Sequence, residues 1–169
     1  FHVRCYDVLR SRNMDHALIA LTKTERSCTA NFILGQSPRR VVDVELAPEK
    51  LRLINPGNAI ISHANHFDDQ NVIDVSEPPN PRRHLSEYRK KRMESLLHKH
   101  KPLNIRCIQE ILKDHENLPQ SLCRHRDDSL PQSQHTITKT AVIMDLCEKQ
   151  MWLTNGQPCK SDFEKFDLN

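Results

Sequence analysis

Glycine, aromatic residues and long apolar runs are all scarce in this chain. Only three glycines occur among 169 residues, against ten prolines. That balance excludes a flexible linker and low-complexity sequence. Phe, Trp and Tyr together make up 5%, and the basic stretch Arg82–Lys101 contains only Tyr88 among them. Nucleic-acid binders usually interleave aromatics with a stronger positive footprint, so no nucleic-acid partner is expected. No apolar stretch approaches the roughly 18 residues of a membrane span, and no secretory h-region is present, so no membrane partner is expected either. None of the six cysteines forms a CxxC pair. An even count permits disulfides in a secreted chain, but Cys5, Cys28 and Cys147 sit in apolar-patterned segments. Buried reduced thiols and a cytoplasmic location are the expectation.

The length suits one domain and is short for two. An apolar share of 37% and a mean hydropathy of −0.68 are polar for a self-sufficient globule. The sequence begins at Phe1 instead of Met. Together these features lead us to expect a piece of a longer polypeptide.

Periodicity predicts helices, strands, helices and strands in that order. Val3, Cys5 or Tyr6, Val8 and Leu9 form a turn-spaced stripe, and Asn13 suits the N-cap of a second helix through Leu21. Cys28–Leu34, Val41–Leu46 and Lys50–Ile54 have strand composition, with turns at Ser37-Pro38 and Pro48-Glu49. A further strand is expected over Ala59–His63, and a polar surface loop from Asp68 to Pro81. The clearest helix runs from Arg83 to Lys101 with Leu85, Tyr88, Met93, Leu96 and Leu97 inward, and Pro102 ends it. Asn104 caps another through Lys113. After a polar loop at Asp127–Gln134, Thr136–Leu146 and Met151–Thr154 read as a hairpin. Ser161-Asp162 would cap a short helix, Phe163 to Phe166. The order points to an α+β layered domain.

Ala59 to His66, Ala-Ile-Ile-Ser-His-Ala-Asn-His, carries the most chemistry. On a strand, His63 and Asn65 would share one face with Ile61. A buried carboxamide without a partner costs about 1–3 kcal/mol, so Asn65 needs backbone, water or a substrate oxygen. His63 would hold the Asn65 side chain or a neighbouring carboxylate, and His66 would begin the loop. The three-residue spacing of His63 and His66 would put the imidazoles on opposite strand faces, poor geometry for one ion even with Cys123 and His125 as further ligands. No metal or cofactor is therefore expected. Cys159, after Gly156-Gln157-Pro158, is the alternative nucleophile; a packed turn cysteine is the plainer reading, since no activating base is visible. Arg89 and Arg92, with Arg124-His125, suit either a substrate carboxylate or a solvated face paired to Glu87 or Glu94.

The order of these features resembles the peptidase C45 family, acyl-coenzyme A:6-aminopenicillanic acid acyltransferase and its hydrolase relatives, including β-alanyl-dopamine hydrolases. The resemblance runs from about Phe1 to Phe166. It is carried by the strand pair before Glu45-Leu46-Ala47-Pro48, by His63-Ala64-Asn65-His66, and by Ser86 through Leu97. Leu122-Cys123-Arg124-His125, Val142 to Leu146 and Gly156-x-Pro158-Cys159 complete it. The resemblance implies part of an N-terminal-nucleophile hydrolase, an αββα sandwich with antiparallel sheets. It implies self-cleavage that exposes a catalytic Cys, whose α-amine is its own base. Phe1 and His2 offer no such nucleophile, so residues 1–169 would form the C-terminal portion, inert without the N-terminal part of the same polypeptide. Asn65 matches the family's oxyanion donor. The substrate would be a small-molecule amide or thioester. Ala47 replaces a serine of the penicillin acyltransferase pattern, and Gln134-His135 stands near its Ser-Arg; both differences favour a hydrolase branch. The alternative is a non-catalytic, degenerate relative acting as a structural or interaction domain.

Overall fold

The computed structural model describes residues 2–23, 25–75 and 79–168. Two compact units divide the chain, Phe1–Arg83 and His84–Asn169. In the first, helices α1 (His2–Leu9) and α2 (Met14–Thr22) precede strands β1 (Ala30–Gln36), β2 (Arg40–Leu46) and β3 (Leu51–Ile54). The Asn13 side chain accepts a hydrogen bond from the His16 N–H at 2.9 Å, as expected of an N-cap. Helix α1 buries none of its residues; instead Arg4 Nη1 donates to the Leu21 carbonyl at 3.0 Å, tying α1 to the end of α2.

The three strands form one antiparallel sheet in the order β1-β2-β3. Its register pairs Phe32 with Val44, Leu34 with Val42 and Glu45 with Arg52. Because side chains alternate, the central strand β2 has two chemically distinct faces. Val42, Val44 and Leu46 pack with Leu34 against Met14, Ala17 and Leu21 of α2. Asp43 and Glu45 point the opposite way, also fully buried. That polar face supports the candidate site.

No strand forms over Ala59–His63, contrary to expectation. Asn58 (φ 50°) and Ala59 (φ 63°) both lie in the left-handed region, and the chain closes a tight turn with Gly57 bridged to Ile60. The turn occupies Asn58 and Ala59, and beyond the single Gly57–Ile60 bridge no ladder continues into residues 61–64. The polar stretch from Asp68 contains one short helix, α3 (Gln70–Ile73), capped by Asp69; residues 76–78 of that expected loop lie outside the described residues. The first unit also holds a small apolar group of Ala47, Phe67 and Ile73.

The second unit contains most of α4 (Arg83–Lys99), then α5 (Ile105–Leu112), a short 3₁₀ helix at Gln132–Gln134 and strands β4 (Val142–Asp145), β5 (Gln150–Thr154) and β6 (Phe163–Asp167). Asn104 caps α5 through the Cys107 N–H. Strands β4, β5 and β6 form a second antiparallel sheet in that order. Two expectations are corrected. Phe163 to Phe166 is a strand, because β5 offers an open edge that pairs Thr154 with Phe163 and Trp152 with Lys165. Four residues are too few to nucleate a stable helix against such pairing. The first hairpin strand begins only at Val142, so Thr136–Ala141 is irregular. Among the residues of α4, Leu96 and Ser86 are buried, whereas Leu85, Tyr88, Met93 and Leu97 are less enclosed.

Candidate functional site

A cleft of about 660 Å³ opens over the polar side of the first sheet, lined by Asn31 and Ile33 of β1 and by His63, Asn65, His66 and Phe67 among others. Strand alternation explains the β1 contribution: Asn31 pairs with Glu45 and Ile33 with Asp43. The segment bearing His63 to Phe67 has no ladder of its own and depends on side-chain anchors.

Glu45 is the main anchor. Its Oε1 accepts the Asp68 N–H at 2.7 Å and lies 3.0 Å from His63 Nε2, while Oε2 lies 3.3 Å from Arg52 Nη1. A carboxylate only accepts, so His63 Nε2 carries the shared proton. The expectation that His63 grips a neighbouring carboxylate therefore holds. Arg83 adds a second tether, donating to the Phe67 carbonyl at 3.0 Å.

The His63 and His66 side chains are each only 6% exposed. Their rings stack at 6.2 Å, with 21° between planes. They do not lie on opposite faces, because the segment is not a strand. Asn65, between them, is exposed at the cleft wall. The expected burial of Asn65 is thus corrected: the residue is exposed.

Asp43, beneath this group, was not anticipated as a site residue. Asn31 Nδ2 donates to its Oδ1, while Oδ2 has no hydrogen-bond partner among the described residues. Burial pushes the Asp43 carboxyl above its ordinary value; the Asn31 hydrogen bond and nearby His63 oppose that rise. The sequence signal was present in Val-Val-Asp-Val-Glu, two acids on one face of an otherwise apolar strand. Ala47, the position of the serine difference, packs with Phe67 and Ile73.

In the second unit a different group assembles. Each of His115, Cys123, His125 and Cys159 places a ligating atom within 4.8 Å of the others. Cys123 Sγ lies 3.4 Å from Cys159 Sγ and 3.7 Å from His125 Nε2. Cys159 Sγ lies 3.4 Å from His125 Nε2, which is 3.0 Å from His115 Nε2. Burial pushes the Cys123 thiol up to about 11. Burial, then the neighbouring His115, holds the His125 imidazole below its ordinary value, favouring the neutral ring. Cys123 and His125 thus belong to the second unit, and His63 and His66 to the first. A base does stand beside Cys159, which sequence reasoning had not identified. All six cysteines are free thiols. Cys28 and Cys147 are exposed rather than buried, since they occupy a bend and a turn.

Among the candidate arginines, Arg92 is engaged in ion pairs. Arg92 pairs with Asp114 at 2.6 Å and Glu116 at 2.8 Å, not with Glu87 or Glu94. Burial and nearby Arg124 lower the Arg89 guanidinium to about 10, and its Nη1 donates to the Leu85 carbonyl. His135 Nε2 lies 2.8 Å from the Leu130 carbonyl.

The fold class is α+β, with two antiparallel three-stranded sheets. The model of the acyl-coenzyme A:6-aminopenicillanic acid acyl-transferase family matches residues 7–160, and the chain belongs to that family. This places it among acyltransferase- and hydrolase-type proteins. No curated protein matches the chain. Among the described residues, no helix is long and apolar enough to cross a membrane.

Proposed function

We propose that this chain supplies the oxyanion-binding part of an N-terminal-nucleophile amidohydrolase or acyltransferase, a member of the αββα sandwich class. The observation that carries the reading is Asn65, exposed at the cleft wall and bracketed in sequence by His63 and His66, whose imidazoles are buried and stacked. A donor acts in catalysis only if it is held still before charge develops. The Glu45 contacts to His63 and to the Asp68 N–H bracket Asn65 on both sides, limiting its backbone freedom.

In the reaction, a Cys outside these 169 residues, exposed by self-cleavage, attacks the carbonyl carbon of a small-molecule amide or thioester. Its α-amine takes the thiol proton. The carbonyl π electrons move onto oxygen, and the Asn65 amide N–H stabilises that charge. Collapse expels the amine or thiol, which takes the proton from the α-ammonium. Water or an acceptor amine then attacks the acyl-enzyme and regenerates the thiol. Ala47, set in an apolar group, brings no hydroxyl to this chemistry, which suits the hydrolase branch.

The test is hydrolysis or acyl transfer by the full-length protein carrying Asn65→Ala. We expect kcat to fall by about 10²–10³, the usual loss for one oxyanion donor. An unchanged kcat removes Asn65 from the mechanism. The intact mass of the wild-type protein should show two chains; a single uncleaved chain contradicts the self-processing step.

A further inference from the structure

We propose that His115, Cys123, His125 and Cys159 form a structural zinc site within the second unit, fastening the irregular segment after α5 to the connection between β5 and β6.

Donor chemistry comes first. Two thiols and two imidazoles are the set that binds zinc in closed structural sites. Two thiolates balance the 2+ charge of the ion, so the complete site is neutral, which suits its partly buried position. Four protein ligands leave no open coordination position, so the role is structural and not catalytic.

Geometry agrees. Zn–S bonds of about 2.3 Å and Zn–N bonds of about 2.0–2.1 Å give a tetrahedron with edges of about 3.8 Å (S–S), 3.5 Å (S–N) and 3.4 Å (N–N). The corresponding separations here are 3.4 Å between sulfurs, 3.4 and 3.7 Å from sulfur to nitrogen, and 3.0 Å between nitrogens. Closing onto an ion requires each of these four edges to adjust by no more than about 0.4 Å, and the remaining two, from His115 to the sulfurs, lie within 4.8 Å.

The backbone already holds the ligands near these positions. The Cys123 N–H donates to the Asp114 carbonyl at 3.0 Å, next to His115, and the His125 N–H to the Pro119 carbonyl at 2.9 Å. Gln157 Nε2 reaches the Arg124 carbonyl at 2.8 Å, joining the Cys159 turn to the Cys123–His125 turn. Between α5 and β4 the described structure has only one three-residue 3₁₀ helix. Such a long irregular segment has a closure cost that a metal staple offsets. The ligands were hidden in the sequence because His115 lies 10 residues from His125 and Cys159 34 residues from it, without the paired short spacers of familiar zinc motifs.

Two rival chemistries use only part of the group. A Cys123–Cys159 disulfide would need the sulfurs at about 2.05 Å, and would leave both imidazoles without a role. A Cys159–His125 nucleophile pair would leave Cys123 and His115 unused.

The experiment measures metal in the full-length protein, purified by a tag free of histidine and without chelators. Elemental analysis should find one zinc per chain. Cys123→Ser, Cys159→Ser and His115→Ala should each lower bound zinc at least about tenfold, whereas Cys28→Ser and Cys147→Ser, at exposed thiols outside the cluster, should retain it. Replacement of zinc by cobalt in the wild-type protein should give intense visible bands and thiolate-to-cobalt charge transfer, a readout that needs no variant to fold. The proposal is overturned by wild-type protein that binds neither metal, or by zinc content unchanged in the ligand variants. A metal-free protein two hydrogens lighter, with Cys123 joined to Cys159, also overturns it.

Discussion

In the first unit, His63 and His66 stack beside Glu45 and Asp68; in the second, His115 and His125 meet edge-on, 74° apart, beside Cys123 and Cys159. The two groups look alike on a residue list and differ in what their partners accept. Carboxylate oxygens are strong acceptors, so Glu45 engages an imidazole, a backbone N–H and a guanidinium at once. Thiols are weak donors and acceptors, and cannot satisfy two imidazoles in the same way. A cation completes that second group. Histidines near one another therefore indicate a loop clamp in one unit and a metal site in the other, and the neighbouring residue decides.

Glu45→Ala should break this contrast most severely. It leaves His63, Arg52 and the Asp68 N–H without their shared acceptor, and we expect a loss of about 3–5 kcal/mol, the cost typical of removing one member of a buried ion pair. Urea denaturation followed by circular dichroism measures it. A loss below about 1 kcal/mol would show that Glu45 is not the anchor.

Arg92→Ala sharpens the comparison by breaking an ion pair in the second unit that involves no histidine. With Asp114 left behind, a loss of about 1–3 kcal/mol is expected. The Arg92 hydrogen bond holds the Asp114 carboxyl below its ordinary value of 3.8. A depressed carboxylate stabilises the fold above its unfolded pKa, and that stability fades as pH falls through the folded value. Acid titration of wild type and variant should therefore show a constant gap well above pH 3.8, closing as pH falls from 3.8 through the lower folded value.

Asp43→Asn should have the smallest effect and the opposite sign. The replacement retains an acceptor for Asn31 Nδ2 and removes the charge that burial disfavours. With a folded pKa raised above 3.8, stability falls as pH rises from that value through the folded one, leaving a penalty at neutral pH. The variant should equal or exceed wild type by up to about 1 kcal/mol at pH 7, and lose that advantage in acid. A variant clearly less stable than wild type at pH 7 contradicts this account of Asp43.

The legibility of the two regions also differs. The hairpin of β1 and β2 was readable because alternation and turn residues agree over neighbouring positions, and Asn13 and Asn104 were readable as caps for the same local reason. The Ala59–His63 segment was not, because an apolar run says nothing of left-handed Asn58 and Ala59. Phe163 to Phe166 has helical spacing, but the open edge of β5 outweighs it. Within the candidate site, His63 was expected to find a carboxylate, yet only tertiary structure identifies Glu45, on another element, as the partner. Asn65 stood out as a residue, while its exposure depends on the loop that no ladder holds. The second cluster joins residues from 115 to 159, so sequence proximity could not reveal it.

The most direct trial of the Asn65 assignment is the isosteric Asn65→Asp variant, assayed for kcat and KM in full-length protein. Aspartate keeps the shape but replaces the amide N–H donors with an anion facing the developing negative charge. We predict kcat reduced at least as much as in the alanine variant, about 10²–10³ or more, with KM little altered. Turnover within about twofold of wild type would contradict the claim that this carboxamide stabilises the reaction's oxyanion.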